Sequence, residues 1–237
     1  MIKQFYIIST PIGNLEDISE RAKSALAGSD AIFVEEYRKG KKTLDLLKID
    51  ISEKDIITFN EHDEKKFRDS FIIPLVEKYK TASLISDCGT PLIADPGSKL
   101  LDLLLKFRIP ITHIPGPSSV ISALVLSGFS TKRFYYAGFL SPKREGRIAD
   151  LKRIAGMKST IVIMETPYRL LQLIESIKKV FGPGRDMALC FNMTKKNEYI
   201  FRGTVQDAWQ YFSNKKVKEE FVIVLDNNDL KSRYSRK

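Results

Sequence analysis

The stretch "FYIISTPIGNLEDIS", residues 5–19, decides the fold class. A short apolar run, Phe5 to Ile8, ends in Ser9-Thr10-Pro11 and a single glycine, Gly13. The pattern predicts a strand, a tight turn and a helix beginning near Asp17. Nucleotide-binding α/β proteins open in this way, but with several glycines in the turn. Here no G-x-G-x-x-G follows the first strand, and no G-x-x-x-x-G-K-[ST] occurs in the chain. A turn built from Ser, Thr and Pro offers hydroxyls and shaped backbone rather than a phosphate cradle. It suits a ligand without phosphates, for example one carrying an amine, a carboxylate, ribose hydroxyls and an adenine edge.

Working outward, apolar runs alternate with amphipathic stretches along the whole chain. Strands are expected at residues 5–9, 31–35, 56–59, 83–86 and 111–114, then at 134–139, 160–165, 187–191, 198–202 and 220–225. Between them, stretches such as "YRLLQLIESIKKVFG" repeat apolar residues three and four apart, the mark of an amphipathic helix. "GSKLLDLLLKF" is nearly all leucine and is expected to be mostly buried. Alternation of this kind means layered α/β architecture. In "THIPGPSSV", two prolines flank a glycine and break the pattern, so a linker is expected there, with Ser118 as a candidate N-cap. The expected division is an N-terminal α/β domain over 1–114, a C-terminal α/β domain over 115–228 and a basic tail over 229–237.

The 237 residues include 39 Lys and Arg against 29 Asp and Glu, a net charge of +10 that favours polyanionic partners. No apolar stretch reaches the roughly 18–20 residues that span a membrane. The N-terminal "MIKQFYII" lacks the pattern of a cleaved signal. Cys88 and Cys190 form neither a disulfide framework nor a zinc pattern, so a reduced, cytoplasmic protein without a bound metal is expected.

Ligands of α/β proteins bind beyond the carboxyl ends of strands. Three such turns are chemically unusual: "STPIGN", "SDCGTPLIADPG" (residues 86–97) and "PGPSS". In the second, Asp95-Pro96 reads as an N-cap followed by proline at the first helical position. That leaves Asp87, Cys88, Gly89 and Thr90 without a purely structural explanation. A carboxylate, a glycine and a hydroxyl at a strand end make a backbone-lined pocket for a polar ligand.

Taken in order, "TPIGNLEDI", "SDCGTPLIADPG", "IPGPSS" and "TKK…RGT" resemble the tetrapyrrole methylase superfamily of S-adenosylmethionine-dependent methyltransferases. Within it they are most similar to enzymes that methylate the 2′-hydroxyl of a cytidine in the decoding centre of 16S rRNA. The resemblance runs from about Tyr6 to about Leu225. It implies two α/β domains with S-adenosylmethionine, in a folded conformation, in the cleft between them. By carry-over it assigns cofactor contacts to Pro11, Asp87, Cys88, Gly89, Leu92, Ser118 and Ser119. Glu165 in "METPYR" and Cys190 then approach the adenosine, largely through backbone atoms. It also implies 16S rRNA or the small ribosomal subunit as partner, and a homodimer. The chain departs from the family pattern at "EEYR" (35–38), where E-D-T-R is usual, and at "CFNMTK" (190–195), where A-R-E-L-T-K is usual. "METPYR" replaces Y-E-S-P-H-R, and Asn60 stands where histidine is common, with His62, Asp63 and Glu64 retained.

Methyl transfer from a sulfonium is an in-line displacement whose leaving group the cofactor supplies. The protein aligns the ribose hydroxyl, and either a general base or a cation for the developing alkoxide helps. Asp87, Glu36 and Glu35 are candidate bases, and Asp87 serves equally as a cofactor ligand. Arg38, Lys195 and Arg202 are candidate cations, Lys195 the first choice for RNA contact. His62 is a candidate only because histidine is the side chain whose ordinary range lies near neutral pH, and it is expected in an exposed loop, while His113 is expected to be a packed strand residue. "SPKREGRIADLKR" (141–153), with Lys143, Arg144, Arg147, Lys152 and Arg153, follows Tyr135, Tyr136 and Phe139, and supplies charge and aromatic surface for RNA. Two other readings stay open: a methyltransferase of the same fold acting on a small molecule such as a tetrapyrrole, and a non-catalytic RNA-binding relative.

Overall fold

A computed structural model of the chain describes residues 2–59 and 69–228. Asn60, His62, Asp63, Glu64 and the basic tail lie outside the described residues. The chain forms two compact units, Met1–Ser118 and Ser119–Lys237.

In the first unit the order is β1 (Gln4–Ile8), α1 (Glu20–Ala27), β2 (Ala31–Val34), α2 (Tyr37–Leu46), β3 (Asp55–Thr58), α3 (Asp69–Lys78), β4 (Thr81–Leu84), α4 (Ser98–Lys106) and β5 (Ile111–Ile114). The five strands make a parallel sheet in the order β3-β2-β4-β1-β5. Both faces are covered, so the strands carry apolar residues on both sides. Phe5, Phe33, Ala82 and Leu84 pack on one face with Ile72 and Val76 of α3 and Leu100 and Leu104 of α4. Ile8, Ile32 and Val34 pack on the other face with Ala22 and Leu26 of α1 and Leu44 of α2. The helices that follow β1 and β4 therefore lie on opposite faces, although the two strands are neighbours. Their connections leave for opposite faces of the sheet from its carboxyl ends, the usual ligand position in such sheets.

The second unit contains α5 (Ser119–Ser127), β6 (Phe134–Phe139), α6 (Arg144–Ala155), β7 (Thr160–Glu165), α7 (Leu170–Phe181), β8 (Asp186–Phe191), β9 (Tyr199–Thr204), α8 (Val205–Phe212) and β10 (Phe221–Asp226). Its sheet is mixed, in the order β6-β7-β10-β8-β9, with β6 and β7 parallel and the remaining pairings antiparallel. One core collects Ile161 and Ile163 of β7, Leu189 of β8, Ile223 and Leu225 of β10, and the inner faces of α6, α7 and α8. A capping box starts α8: the Thr204 hydroxyl accepts from the Asp207 amide, and the Asp207 carboxylate accepts from the Thr204 amide. Among the described residues, no helix is long and apolar enough to cross a membrane.

Several local expectations change. The helix expected near Asp17 is preceded by a 3-10 turn, Leu15–Asp17, capped by Asn14, and α1 starts only at Glu20 under a Ser19 cap. Each short polar side chain satisfies an amide of its own turn, so the chain turns twice. Asp95 is not an N-cap, because α4 starts three residues later behind Gly97, whose φ of 134° only glycine adopts readily. That same helix is not mostly buried: Leu100 and Leu104 are inside, four apart on one face, while Leu105 is 59 % exposed. His113 is exposed, not packed. Arg147, read as part of a basic RNA face, is only 3 % exposed.

Candidate functional site

The three turns singled out in the sequence follow β1, β4 and β5, which are adjacent in the sheet, so they lie side by side at its carboxyl edge. They are bonded to one another. Thr10 and Gly89 exchange backbone hydrogen bonds of 2.8 and 3.1 Å, an isolated antiparallel bridge beyond the strand ends. The Ser9 hydroxyl meets the Thr90 hydroxyl at 3.0 Å, and Thr90 donates to the Pro117 carbonyl at 3.1 Å. The Thr10 hydroxyl donates to the Ser86 carbonyl, and the Ser86 hydroxyl to that of Cys88. Ser9 also meets Nε2 of the exposed His113 at 3.4 Å.

Two glycines let the turns approach. Gly89 has φ +83°, and a Cβ there would lie 3.3 Å from Ile12. A Cβ on Gly116 would lie 3.0 Å from the Ser9 Cβ, so the third turn rests directly on the first. Pro11 is buried beside this lacing, while Cys88 is exposed. Leu92 and Ala94 both adopt left-handed backbone, φ 71° and 67°, which costs a non-glycine residue about 1 kcal/mol each. The second turn is thus held in a conformation that its own residues disfavour, by bonds made elsewhere.

Charge is concentrated at the same edge. Asp87 follows β4 and accepts from Lys39 of α2 at 2.7 Å through Oδ2. Its Oδ1 is buried and has no hydrogen-bond partner among the described residues. Lys39 also pairs with Glu36 at 3.3 Å, and its ammonium is held charged well above the usual lysine range, chiefly by the Asp87 bond. Asp95 sits nearby with its carboxyl pushed up to about 7, first by burial and then by the charge of Glu35. Four acidic side chains, Glu35, Glu36, Asp87 and Asp95, and one lysine thus share the ends of β2 and β4.

Pro11, Asp87, Cys88, Gly89, Leu92 and Ser118 all belong to this cluster of turns in the first unit. Ser119 begins α5. Glu165, Cys190 and Lys195 are carried by the sheet of the second unit. Glu165 ends β7, buried, with Oε1 accepting from the Thr166 amide at 2.7 Å and pairing with Arg169 at 2.5 Å, while Oε2 is buried without a partner among the described residues. Cys190 lies fully buried in β8, its thiol against the Ala123 carbonyl and pushed up to about 12 by burial, so it packs rather than reacts. Lys195 is paired with Glu220 at 3.3 Å. Arg202 donates to the Leu126 carbonyl, tying β9 to α5.

Sequence reasoning passes over Lys39 and explains Asp95 away as a cap. Lys39 stands three residues after Glu36, as any surface helical ion pair would. Only the sheet order, which sets β2 beside β4, brings it to Asp87. The burial of Asp95 depends on where the strained turn folds back, and no local pattern reports that.

The chain matches the family described as Tetrapyrrole (Corrin/Porphyrin) Methylases over residues 4–208. It is 36 % identical over 223 residues to "Ribosomal RNA small subunit methyltransferase I" of Thermotoga maritima, covering 94 % of this chain and 98 % of that one. The protein of the same name from Rickettsia prowazekii is 37 % identical, with 94 % of this chain and 78 % of that one covered. Among solved structures, a uroporphyrin-III-C-methyltransferase from Thermus thermophilus shares the fold with a TM-score of 0.65 at 17 % identity, over 95 % of this chain and 94 % of that one. On this match and these full-length relatives, the chain belongs to the tetrapyrrole (corrin/porphyrin) methylase family.

Proposed function

We propose that this protein is an S-adenosylmethionine-dependent methyltransferase of small-subunit ribosomal RNA, acting on the 2′-hydroxyl of a cytidine in the decoding centre. The observation that carries the cofactor half is Asp87 Oδ1, a buried acceptor without a partner among the described residues, just beyond the carboxyl end of β4. A buried lone acceptor costs about 1–3 kcal/mol unless a donor meets it, and the amine and ribose hydroxyls of S-adenosylmethionine are donors. The glycines at 89 and 116 let the backbones of the three turns approach, and the hydroxyls of Ser9, Thr10 and Thr90 hold them there, an arrangement without the glycine-rich cradle of a phosphate site. The RNA half rests on the full-length relationship to proteins named as small-subunit rRNA methyltransferases, at 36–37 % identity, and on the +10 net charge.

In this reading Asp87, Gly89, Pro11, Leu92 and Ser118 hold and orient the cofactor, with Cys88 at the exposed rim. When bound, S-adenosylmethionine supplies a methyl group on a good leaving group. The chain's own contribution is alignment, worth several powers of ten when the attacking atom is held in line. Lys39 fixes Asp87 in place. Glu36 stands one residue before α2 and shares Lys39, which makes it the candidate proton acceptor for the ribose hydroxyl. Lys195 contributes positive charge for RNA. Such an enzyme works in the cytoplasm beside the ribosome, and we expect a homodimer.

The test is methyl transfer from labelled S-adenosylmethionine to purified small subunits, to free rRNA and to a uroporphyrin, followed by mapping of the label. A 2′-O-methylcytidine in the decoding centre is expected. Transfer to the tetrapyrrole and not to RNA would overturn the substrate assignment. Absence of cofactor binding by calorimetry would overturn the activity.

A further inference from the structure

Among the described residues, the second unit holds a buried arginine without an ion-pair partner. Arg147 lies in the first two turns of α6 and is 3 % exposed. Its Nε donates to the Ser176 hydroxyl of α7 at 3.0 Å, and its Nη1 to the Pro142 carbonyl at 3.1 Å. Among the described residues, Nη2 has no hydrogen-bond partner and no carboxylate lies within ion-pair distance of the guanidinium. Burying an ionised group without a counter-charge costs several kcal/mol, so a buried arginine normally comes with its acid. Ser176 does not compensate: its hydroxyl already donates to the Gln172 carbonyl.

The guanidinium borders a small cavity of about 150 Å³ between α6 and α7. That is roughly ten times the smallest cavity that holds one water. Gln172, Glu175, Ser176 and Lys179 line it from α7, spaced three and four apart so that they share one helical face. Arg144 joins Arg147 from α6. Arg144 and Lys179 also lack an ion pair among the described residues. Glu175 is the one acid lining the cavity, and it pairs with none of the three cations. The rim is built rather than loose: Asp150 accepts from the Ser141 amide at 3.1 Å, and Gly146 sits directly against Ser141.

We propose that this cavity is a phosphate-binding site. Three cations from two helices converge on a pocket large enough for a tetrahedral oxyanion, and the innermost is fixed in place by two hydrogen bonds that leave its Nη2 without a partner among the described residues. Guanidinium and ammonium donors suit phosphate oxygens, which can meet all three at once. The phosphate is either one group of an RNA backbone, which rests on the function proposed above, or that of a free phosphorylated small molecule.

The experiment compares the full-length protein with an R144S/K179S variant. Neither side chain is part of the core, so the variant is expected to fold. Inorganic phosphate at about ten times its Kd should raise the Tm of the native protein by roughly 3–6 °C over chloride at matched ionic strength. The variant should lose most of that rise. Phosphate also stabilises proteins by exclusion from their surface, so an equal rise in both proteins would overturn the site. A second variant, Arg147→Met, should abolish the saturable part of the rise if it folds. The source is read from binding to purified small subunits as salt is varied. An RNA phosphate in the cavity predicts a log–log slope shallower by about 0.7–0.9 in the variant, because one phosphate is no longer neutralised. An unchanged slope in a variant that has lost the phosphate effect on Tm assigns the site to a free phosphorylated ligand. Should the protein bind no RNA at all, the Tm comparison still decides the site.

Discussion

Asp87 divides its carboxylate between two tasks: Oδ2 is held by Lys39 at 2.7 Å, and Oδ1 is buried without a partner. Asp87→Asn keeps the shape and removes the charge. A hydrogen bond to a charged group is worth about 1.5–3 kcal/mol, so the affinity for S-adenosylmethionine, measured by calorimetry, is expected to fall about ten- to hundred-fold. The Tm should change little, because the Lys39 partner is largely exposed and such pairs contribute weakly. Unchanged affinity would remove Asp87 from the site. Asp95 makes a prediction about pH. Its carboxyl is held up to about 7 by burial and by Glu35. The folded protein therefore keeps a proton that the unfolded chain has released, from the ordinary carboxylate range up to about 7. The stability that accompanies this proton is complete at low pH and is lost as pH rises through that window. Asp95→Asn removes the loss. The Tm of the variant relative to the native protein is expected to climb between about pH 5 and about pH 8, a trend that thermal scans across that range will show or deny.

The turns after β1, β4 and β5 act as one element, although they are far apart in the sequence. Gly116 is the test of that unity. A methyl group there meets Ser9 at 3.0 Å, against strand-end backbone that cannot swing away. Gly116→Ala is expected to cost about 1–3 kcal/mol of stability, the usual range for overpacking. It should also weaken cofactor binding, by spreading the first turn from the third. A stable variant with full affinity would mean that the turns bind independently. The strands themselves are readable from the residues in order. β5, β6 and β7 follow the apolar runs at 111–114, 134–139 and 160–165 residue for residue. Helix starts are less readable. Asn14 and Ser19 are both good caps five residues apart, and the chain uses both. Asp95-Pro96 has the composition of a helix start, yet Gly97 holds the cap position because the preceding turn is left-handed.

At the scale of the whole molecule, the surplus of ten positive charges predicts that binding to small subunits weakens steeply as salt rises from about 50 to about 200 mM. Asp87→Asn should leave that slope unchanged while weakening the cofactor, separating the two ligands in one protein. A salt-independent association would argue against RNA as the partner. The α/β class, the strands and the resemblance carried by "TPIGNLEDI" and "SDCGTPLIADPG" are all legible in the chain itself, because each is a property of sequence neighbours. The site is legible only in part. Asp87 and Gly89 stand out as residues without a local purpose. Lys39 reaches Asp87 because β2 lies beside β4, an order set by how the crossover helices cover the two faces of the sheet. Arg147 sits in a stretch whose composition says solvent, and it is buried because α7 presents Ser176 to it. Neither fact is written in any short stretch of residues. Both arise when surfaces distant in sequence are pressed together to bury their apolar sides, and the charged groups between them must settle where that packing leaves them.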